Sequence, residues 1–275
     1  MTGRVHVAIS ADGTEIVGRV RGQGPPLVLV HGGLGDGEVA YEALVTYLAD
    51  RFTCYTPSTR GRGLSGDNPD HSPPRLQGDV TGFVDIIGGP VRLVGWSGSG
   101  AWVLGAAAHS DSVAAVAIYE PGVIGVGGDD DIAHLAAAME QVASAAADGR
   151  NLDAVHAFLP GICTDNEIAA LKATPFYQQW TGAIPALLRF VEQDMSYKGP
   201  RSTDPEALGQ VAAPVLLLRG EQTLLGTFFA EVERYVAQHV VDAQVRELPG
   251  IGHFAPLLEP QPVAKELISF FESVQ

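Results

Sequence analysis

Two short segments hold side chains that could carry out nucleophilic chemistry together. The first is Val94-Gly-Trp-Ser-Gly-Ser-Gly-Ala101, which follows one apolar run and precedes another. A serine on a sharp strand-to-helix turn has its hydroxyl held clear of the sheet in a strained backbone, and small residues must flank it because backbones approach closely there. Gly95 stands two positions before Ser97, while Ser99, not glycine, stands two positions after it. Ser99 could also be the nucleophile, with Ser97 and Ala101 as its small flanks; the register of the run Val91-Arg-Leu-Val94 favours Ser97. Taken alone, the segment also fits an ordinary Gly/Ser turn. The second segment is Leu248-Pro-Gly-Ile-Gly-His-Phe-Ala-Pro256. Its His253, on a glycine-rich loop before the last helix, could take the serine proton as general base and return it to the leaving group. His6, His71, His109, His134, His156 and His239 read as structural or solvated residues, and His31 as the start of a glycine-rich loop.

The elements that must position these groups alternate along the chain. Arg4-Val-His-Val-Ala-Ile9, a turn at Asp12-Gly13, and Glu15-Ile-Val-Gly-Arg-Val-Arg21 read as an antiparallel hairpin. Pro26-Leu-Val-Leu-Val30 is a continuous apolar run, as expected of a strand buried on both faces. Helical spacing over 41–49, a strand over 52–55, a helix over 76–87, the strand before Ser97, a helix over 101–108 and a strand over 113–119 follow. From 122 to 210 the alternation stops and only helical patterns appear. They include a capping box at Thr164-Asp-Asn-Glu167 and a stretch over 175–195 that Pro185 would kink or split. Alternation resumes with strands in Pro214-Val-Leu-Leu-Leu218 and Val245-Arg-Glu-Leu248, and helices over 227–239 and 262–271. The pattern predicts an α/β fold, a doubly wound sheet formed by residues 1–121 and 211–275, with residues 122–210 inserted as a helical cap. Ligands in such sheets bind beyond the carboxyl ends of the strands, under the cap.

With these elements in place, the chain resembles the α/β-hydrolase family over essentially its whole length. The resemblance rests on His31-Gly-Gly, Arg60-Gly-Arg-Gly-Leu-Ser65, Gly95-Trp-Ser-Gly-Ser-Gly100 and Gly250-Ile-Gly-His-Phe254, in that order. It implies an α/β-hydrolase fold: an eight-stranded, mostly parallel sheet with helices on both faces, a cap after the sixth strand, and no cofactor or metal. It also implies an oxyanion hole made by the backbone N–H groups of Gly98 and Gly33. The acid of the triad departs from the commoner pattern. Most relatives carry an aspartate shortly after the seventh strand, and here Thr223 stands in its place. Two carboxylates could substitute. Glu221 lies in the same loop, and Glu120 ends the sixth strand in Ala117-Ile-Tyr-Glu-Pro-Gly122, where certain lactone hydrolases of the family carry their acid. A carboxylate ending an apolar strand is poorly solvated and needs a partner, which favours Glu120 paired with His253. A second departure is Ser58, where relatives usually carry an aspartate two residues before the arginine.

Composition excludes several other classes. The chain has 275 residues, 46% hydrophobic and 18% charged, enough to bury a large core. A net charge of −15 without a basic patch disfavours nucleic acid and anionic lipid as partners. No run approaches the ~20 apolar residues of a membrane span, and no leader is recognisable. Two cysteines allow no disulfide framework, and no Cys/His cluster has zinc spacing. The expectation is a cytoplasmic enzyme, monomer or homodimer, needing no metal. Ser97, His253 and Glu120 would cleave a small or medium hydrophobic ester or lactone through an acyl-serine. Hydrolysis of a C–C bond in a diketone, or cofactor-free haloperoxidase-like perhydrolysis, would use the same triad. Thr223 keeps open a further class, a ligand-binding protein on this fold. Trp102, Phe158, Phe176, Tyr177, Trp180 and Phe190 are candidates to line an apolar pocket.

Overall fold

The computed structural model describes residues 4–123 and 125–274. Eight strands form one sheet: β1 (Val5–Ile9), β2 (Glu15–Gly22), β3 (Pro26–Val30), β4 (Thr53–Pro57), β5 (Val91–Trp96), β6 (Val113–Tyr119), β7 (Val215–Gly220) and β8 (Ala243–Leu248). Their order is β1-β2-β4-β3-β5-β6-β7-β8. β2 pairs antiparallel with β1 and with β4, and every other pair is parallel. The apolar runs occupy the middle. Leu27, Val28, Leu29, Val116, Ile118 and Leu217 are wholly buried, so both faces of the central strands are covered. At the edge, β1 alternates, with Val5, Val7 and Ile9 exposed.

The helices that cover the sheet are α1 (Glu42–Leu48), α2 (Pro73–Ile87), α3 (Gly100–His109) and, after the cap, α9 (Gly226–His239), α10 (Ala255–Leu258) and α11 (Pro260–Ser273). α2 starts three residues before the apolar periodicity, because Pro73 and Pro74 occupy its first turn, where a missing N–H costs nothing. Between β6 and β7 the described residues hold no strand. They form α4 (Asp129–Ala147), α5 (Asn151–Phe158), α6 (Asp165–Lys172), α7 (Ile184–Ser196) and the short α8 (Pro205–Leu208). Of the two outcomes expected at Pro185, kink or split, the stretch over 175–195 takes the split. A 3₁₀ turn over Gln179–Ala183 precedes α7, and Pro185 sits in the first turn of the new helix. The capping box forms as its spacing demands: Thr164 Oγ1 accepts from the Glu167 N–H at 3.3 Å, and Glu167 Oε2 accepts from the Thr164 N–H at 3.1 Å. No described helix is long and apolar enough to cross a membrane.

Candidate active site

The turn from β5 into α3 holds Ser97 at φ 57°, one of two non-glycine residues with positive φ among those described. That conformation is costly for an L-residue and persists only where the surroundings enforce it. The surroundings are tight. A Cβ on Gly95 would lie 2.7 Å from Val103 Cγ2, and one on Gly100 would lie 3.0 Å from Pro121 Cβ. Ser99 is locked into the scaffold: its hydroxyl donates to the Val30 carbonyl at 2.7 Å and accepts from the Trp96 N–H at 2.8 Å. It is wholly buried, and its hydrogen bonds explain why serine replaces glycine there. Ser97 is half-buried and borders a cavity of about 470 Å³.

Glu120 is the other positive-φ residue, at φ 49°, directly after β6. It is wholly buried. A buried carboxylate must have its lone pairs filled, and three donors do so. His253 Nδ1 lies 2.6 Å from Oε2, the Thr223 hydroxyl donates to Oε2 at 3.0 Å, and the Gly220 N–H donates to Oε1 at 2.8 Å. Thr223 is thus a donor to a carboxylate reaching across from the neighbouring strand. Glu221 is exposed and accepts from the Gly250 N–H at 2.9 Å. Spacing brought attention to Thr223, but only as a missing acid. Its use as a hydroxyl donor depends on Glu120 lying opposite.

The loop carrying His253 is tied down on several sides. The Tyr119 hydroxyl donates to the Gly252 carbonyl at 2.5 Å, and the Trp96 indole donates to the His253 carbonyl at 3.0 Å. From the cap, Glu167 Oε1 accepts from the Phe254 N–H at 2.9 Å. The capping-box pattern located Glu167, but nothing in it signals this second bond. Phe229 stacks on the imidazole at 5.2 Å with the rings 9° from parallel. Because Trp96 adjoins Ser97, its indole links the serine turn to the histidine loop. Among the described residues, the Ser97 hydroxyl has no hydrogen-bond partner. Serine–imidazole bonds in empty sites are often long and tighten only with substrate.

Gly33 and Gly98 border the same cavity as Ser97. The loop after β3 approaches closely because Gly32 lacks a side chain: a Cβ there would lie 3.0 Å from the Trp96 carbonyl oxygen and 3.2 Å from Ser97 Cβ. His31 is wholly buried and structural. Its Nε2 accepts from the Thr59 N–H at 3.0 Å, which leaves the proton on Nδ1 to donate to the Gly32 carbonyl at 2.9 Å. Burial, aided by the Arg62 charge, pushes its pKa down to about 3, so the ring stays neutral.

Trp102, Phe158 and Phe190 line the cavity, with Leu187, Met139 and Phe228. Phe176, Tyr177 and Trp180 do not border it; Tyr177 is buried, and Trp180 is buried against a separate cavity of about 300 Å³. The one cation on the cavity wall among the described residues, Arg201, is bound at 2.5 Å to Asp194. Burial pushes the Cys54 thiol up to about 12 and raises that of Cys163, so neither is a nucleophile at neutral pH. Among the described residues no group of three or more His, Cys, Asp or Glu side chains could hold a metal ion.

Comparison with known proteins agrees with this architecture. The profile of the alpha/beta hydrolase family matches residues 27–266. A 2-(acetamidomethylene)succinate hydrolase from Mesorhizobium japonicum is 27% identical over 93% of this chain and 91% of its own. A pimeloyl-[acyl-carrier protein] methyl ester esterase from Stenotrophomonas maltophilia is 38% identical over 36% of this chain and 37% of its own. Among solved structures, an alpha/beta hydrolase from Sphaerobacter thermophilus superposes with a TM-score of 0.77, at 25% identity over 97% of this chain and 100% of its own.

Proposed function

The chain belongs to the alpha/beta hydrolase family, and on that premise we propose that it cleaves an ester or lactone of a small to medium apolar substrate through an acyl-serine. One observation carries the reading: the buried Glu120–His253 contact at 2.6 Å, on a loop that the Trp96 indole ties to the turn where a strained Ser97 borders a cavity. In the proposed reaction Ser97 Oγ attacks the substrate carbonyl while His253 Nε2 takes its proton. Glu120 holds the Nδ1–H and balances the imidazolium. The Gly33 and Gly98 N–H groups bind the oxyanion, each donor contributing ~3–4 kcal/mol of transition-state stabilisation. Collapse expels the alkoxide, which receives the proton from His253. Water, deprotonated by the same imidazole, then releases the acid and regenerates Ser97.

The substrate class follows from the cavity wall. Its aromatic and aliphatic lining suits an apolar acyl or ring portion, and its volume suits a ligand of modest size. Arg201 is already paired, so among the described residues the wall offers a substrate carboxylate no free cation. The presence of Thr223 at the usual acid position would favour a binding protein only if the histidine lacked a carboxylate. Its bond to Glu120 favours an enzyme.

The test is incubation with a fluorophosphonate, together with rates on p-nitrophenyl esters, lactones and diketones. Stoichiometric labelling of Ser97 and turnover of an ester or lactone are expected. Ser97→Ala is expected to lower turnover by about 10⁴-fold or more, in line with triad deletions elsewhere. An unreactive serine, or turnover of diketones alone, overturns the proposal.

A further inference from the structure

Building on the hydrolase reading, we infer that Arg62 is a positioning residue for the oxyanion site, one that sets the direction of the peptide units in the Gly32–Gly35 loop. Arg62 lies in the loop after β4 and has no part in the proton relay. It is only 6% exposed. Burial pushes its guanidinium down to about 10, which still leaves a cation at neutral pH. A buried cation needs compensation, and here backbone carbonyls provide it. One terminal nitrogen donates to the Gly33 carbonyl at 2.6 Å and the Gly32 carbonyl at 3.2 Å, and reaches the Gly35 carbonyl at 3.5 Å. The Asp36 carboxylate nearby also favours the cation through its charge, while its Oδ1 accepts from the N–H groups of Glu38 and Val39. Arg62 Nε is buried without a partner among the described residues.

The consequence follows from peptide geometry. No peptide bond among the described residues is cis. In a trans unit the N–H points opposite to the carbonyl of the preceding residue. The Gly32 carbonyl is held by Arg62 together with the His31 Nδ1–H at 2.9 Å, which turns the Gly33 N–H away from the arginine, and drawing the Gly33 carbonyl toward Arg62 turns the Leu34 N–H away. Arg62 and Gly35 border a separate cavity of about 300 Å³, whereas Gly33 borders the one containing Ser97. The Gly32 and Gly33 carbonyls lie on the arginine side, and trans geometry directs the Gly33 N–H to the opposite side of a loop whose Gly33 borders the Ser97 cavity. A glycine-rich loop needs such a device. Gly32, Gly33 and Gly35 carry no Cβ to bar the flipped arrangement, and a flipped Gly32–Gly33 unit would offer the developing oxyanion a carbonyl oxygen.

The experiment compares the parent protein with Arg62→Met and Arg62→Lys. Each is checked for folding by circular dichroism and thermal melting. Hydrolysis of a p-nitrophenyl ester is resolved into kcat and KM, and the Kd of an arylboronic acid, whose serine adduct places an oxygen in the oxyanion position, is measured. Arg62→Met is expected to lose about 10²-fold in kcat with KM within about 3-fold, and boronate affinity should fall by a similar factor. Arg62→Lys, which keeps the charge but not the planar fork, is expected to sit about 10-fold below the parent. A folded Arg62→Met with parental kcat, or one changed in KM alone with boronate affinity intact, overturns the inference. If the methionine variant fails to fold, parental kcat and boronate affinity in Arg62→Lys overturn it equally. A parent that takes no fluorophosphonate and hydrolyses no ester defeats the hydrolase reading and this inference together. An active parent indifferent to Arg62 defeats this one alone.

Discussion

Two buried ionic clusters lie beyond the carboxyl ends of the strands, and they differ in one respect. In the first, Arg60 is wholly buried. It binds Asp79 of α2 through two nitrogens, each at 2.7 Å, and Asp12 of the β1–β2 turn at 2.8 Å; the Ser10 hydroxyl donates to the same Asp79 at 2.5 Å. Ser58 takes no part in this cluster; its hydroxyl accepts from the Gly37 N–H at 3.2 Å. In the second cluster, Glu120 is saturated by His253, Thr223 and Gly220. Both clusters satisfy their carboxylates. Only the second leaves a titratable nitrogen, His253 Nε2, with no protein partner among the described residues. A closed cluster can only hold elements together. A cluster with one unfilled position can also pass a proton.

That contrast breaks if the two clusters respond alike to substitution. The largest effect is expected at the open cluster. Glu120→Gln should lower kcat by about 10³–10⁴-fold on an activated ester, since the imidazole loses both its orientation and its counter-charge. Glu221→Gln should stay within about 2-fold, because Glu221 binds only a turn N–H. The reverse ranking would assign the acid to the strand-seven loop. Next comes the closed cluster. Arg60→Met leaves the buried Asp79 without a cation and Asp12 with only Arg75 at 3.4 Å, and should cost about 3–5 kcal/mol of stability in urea unfolding, while kcat per folded molecule stays within about 3-fold. A catalytic loss at Arg60 exceeding its loss of stability would erase the distinction. The smallest effect sharpens it. Thr223→Val removes one hydroxyl donor from a carboxylate, worth about 1.5 kcal/mol, so kcat should fall by about 10-fold. Parental kcat in this variant would reduce Thr223 to packing.

Much of the scaffold was legible from local pattern. A continuous apolar run marked β3 as a buried strand, strand patterns marked β5, β6 and β7, and the loss of alternation after Pro121 marked the helical insertion. Prolines were harder to place. At Pro185 periodicity continues on both sides, and only the structure shows a new helix starting there with its own first turn. Aromatic residues in the cap were less legible still. Phe158 and Phe190 meet the cavity while Tyr177 and Trp180 pack away from it, because helix rotation about its axis depends on what each neighbour buries.

The sequence by itself determined the chemistry that is local. A serine between small residues, glycines where backbones touch, and a histidine before the last helix are written in consecutive positions. Tertiary structure alone decided which carboxylate meets the histidine. The Thr223–Glu120 bond spans 103 positions, and it exists because the parallel register pairs Tyr119 with Leu218. That register brings the end of β6 beside Gly220 and the loop that follows. Register is settled by packing both faces of the sheet at once, so no single stretch of sequence records it.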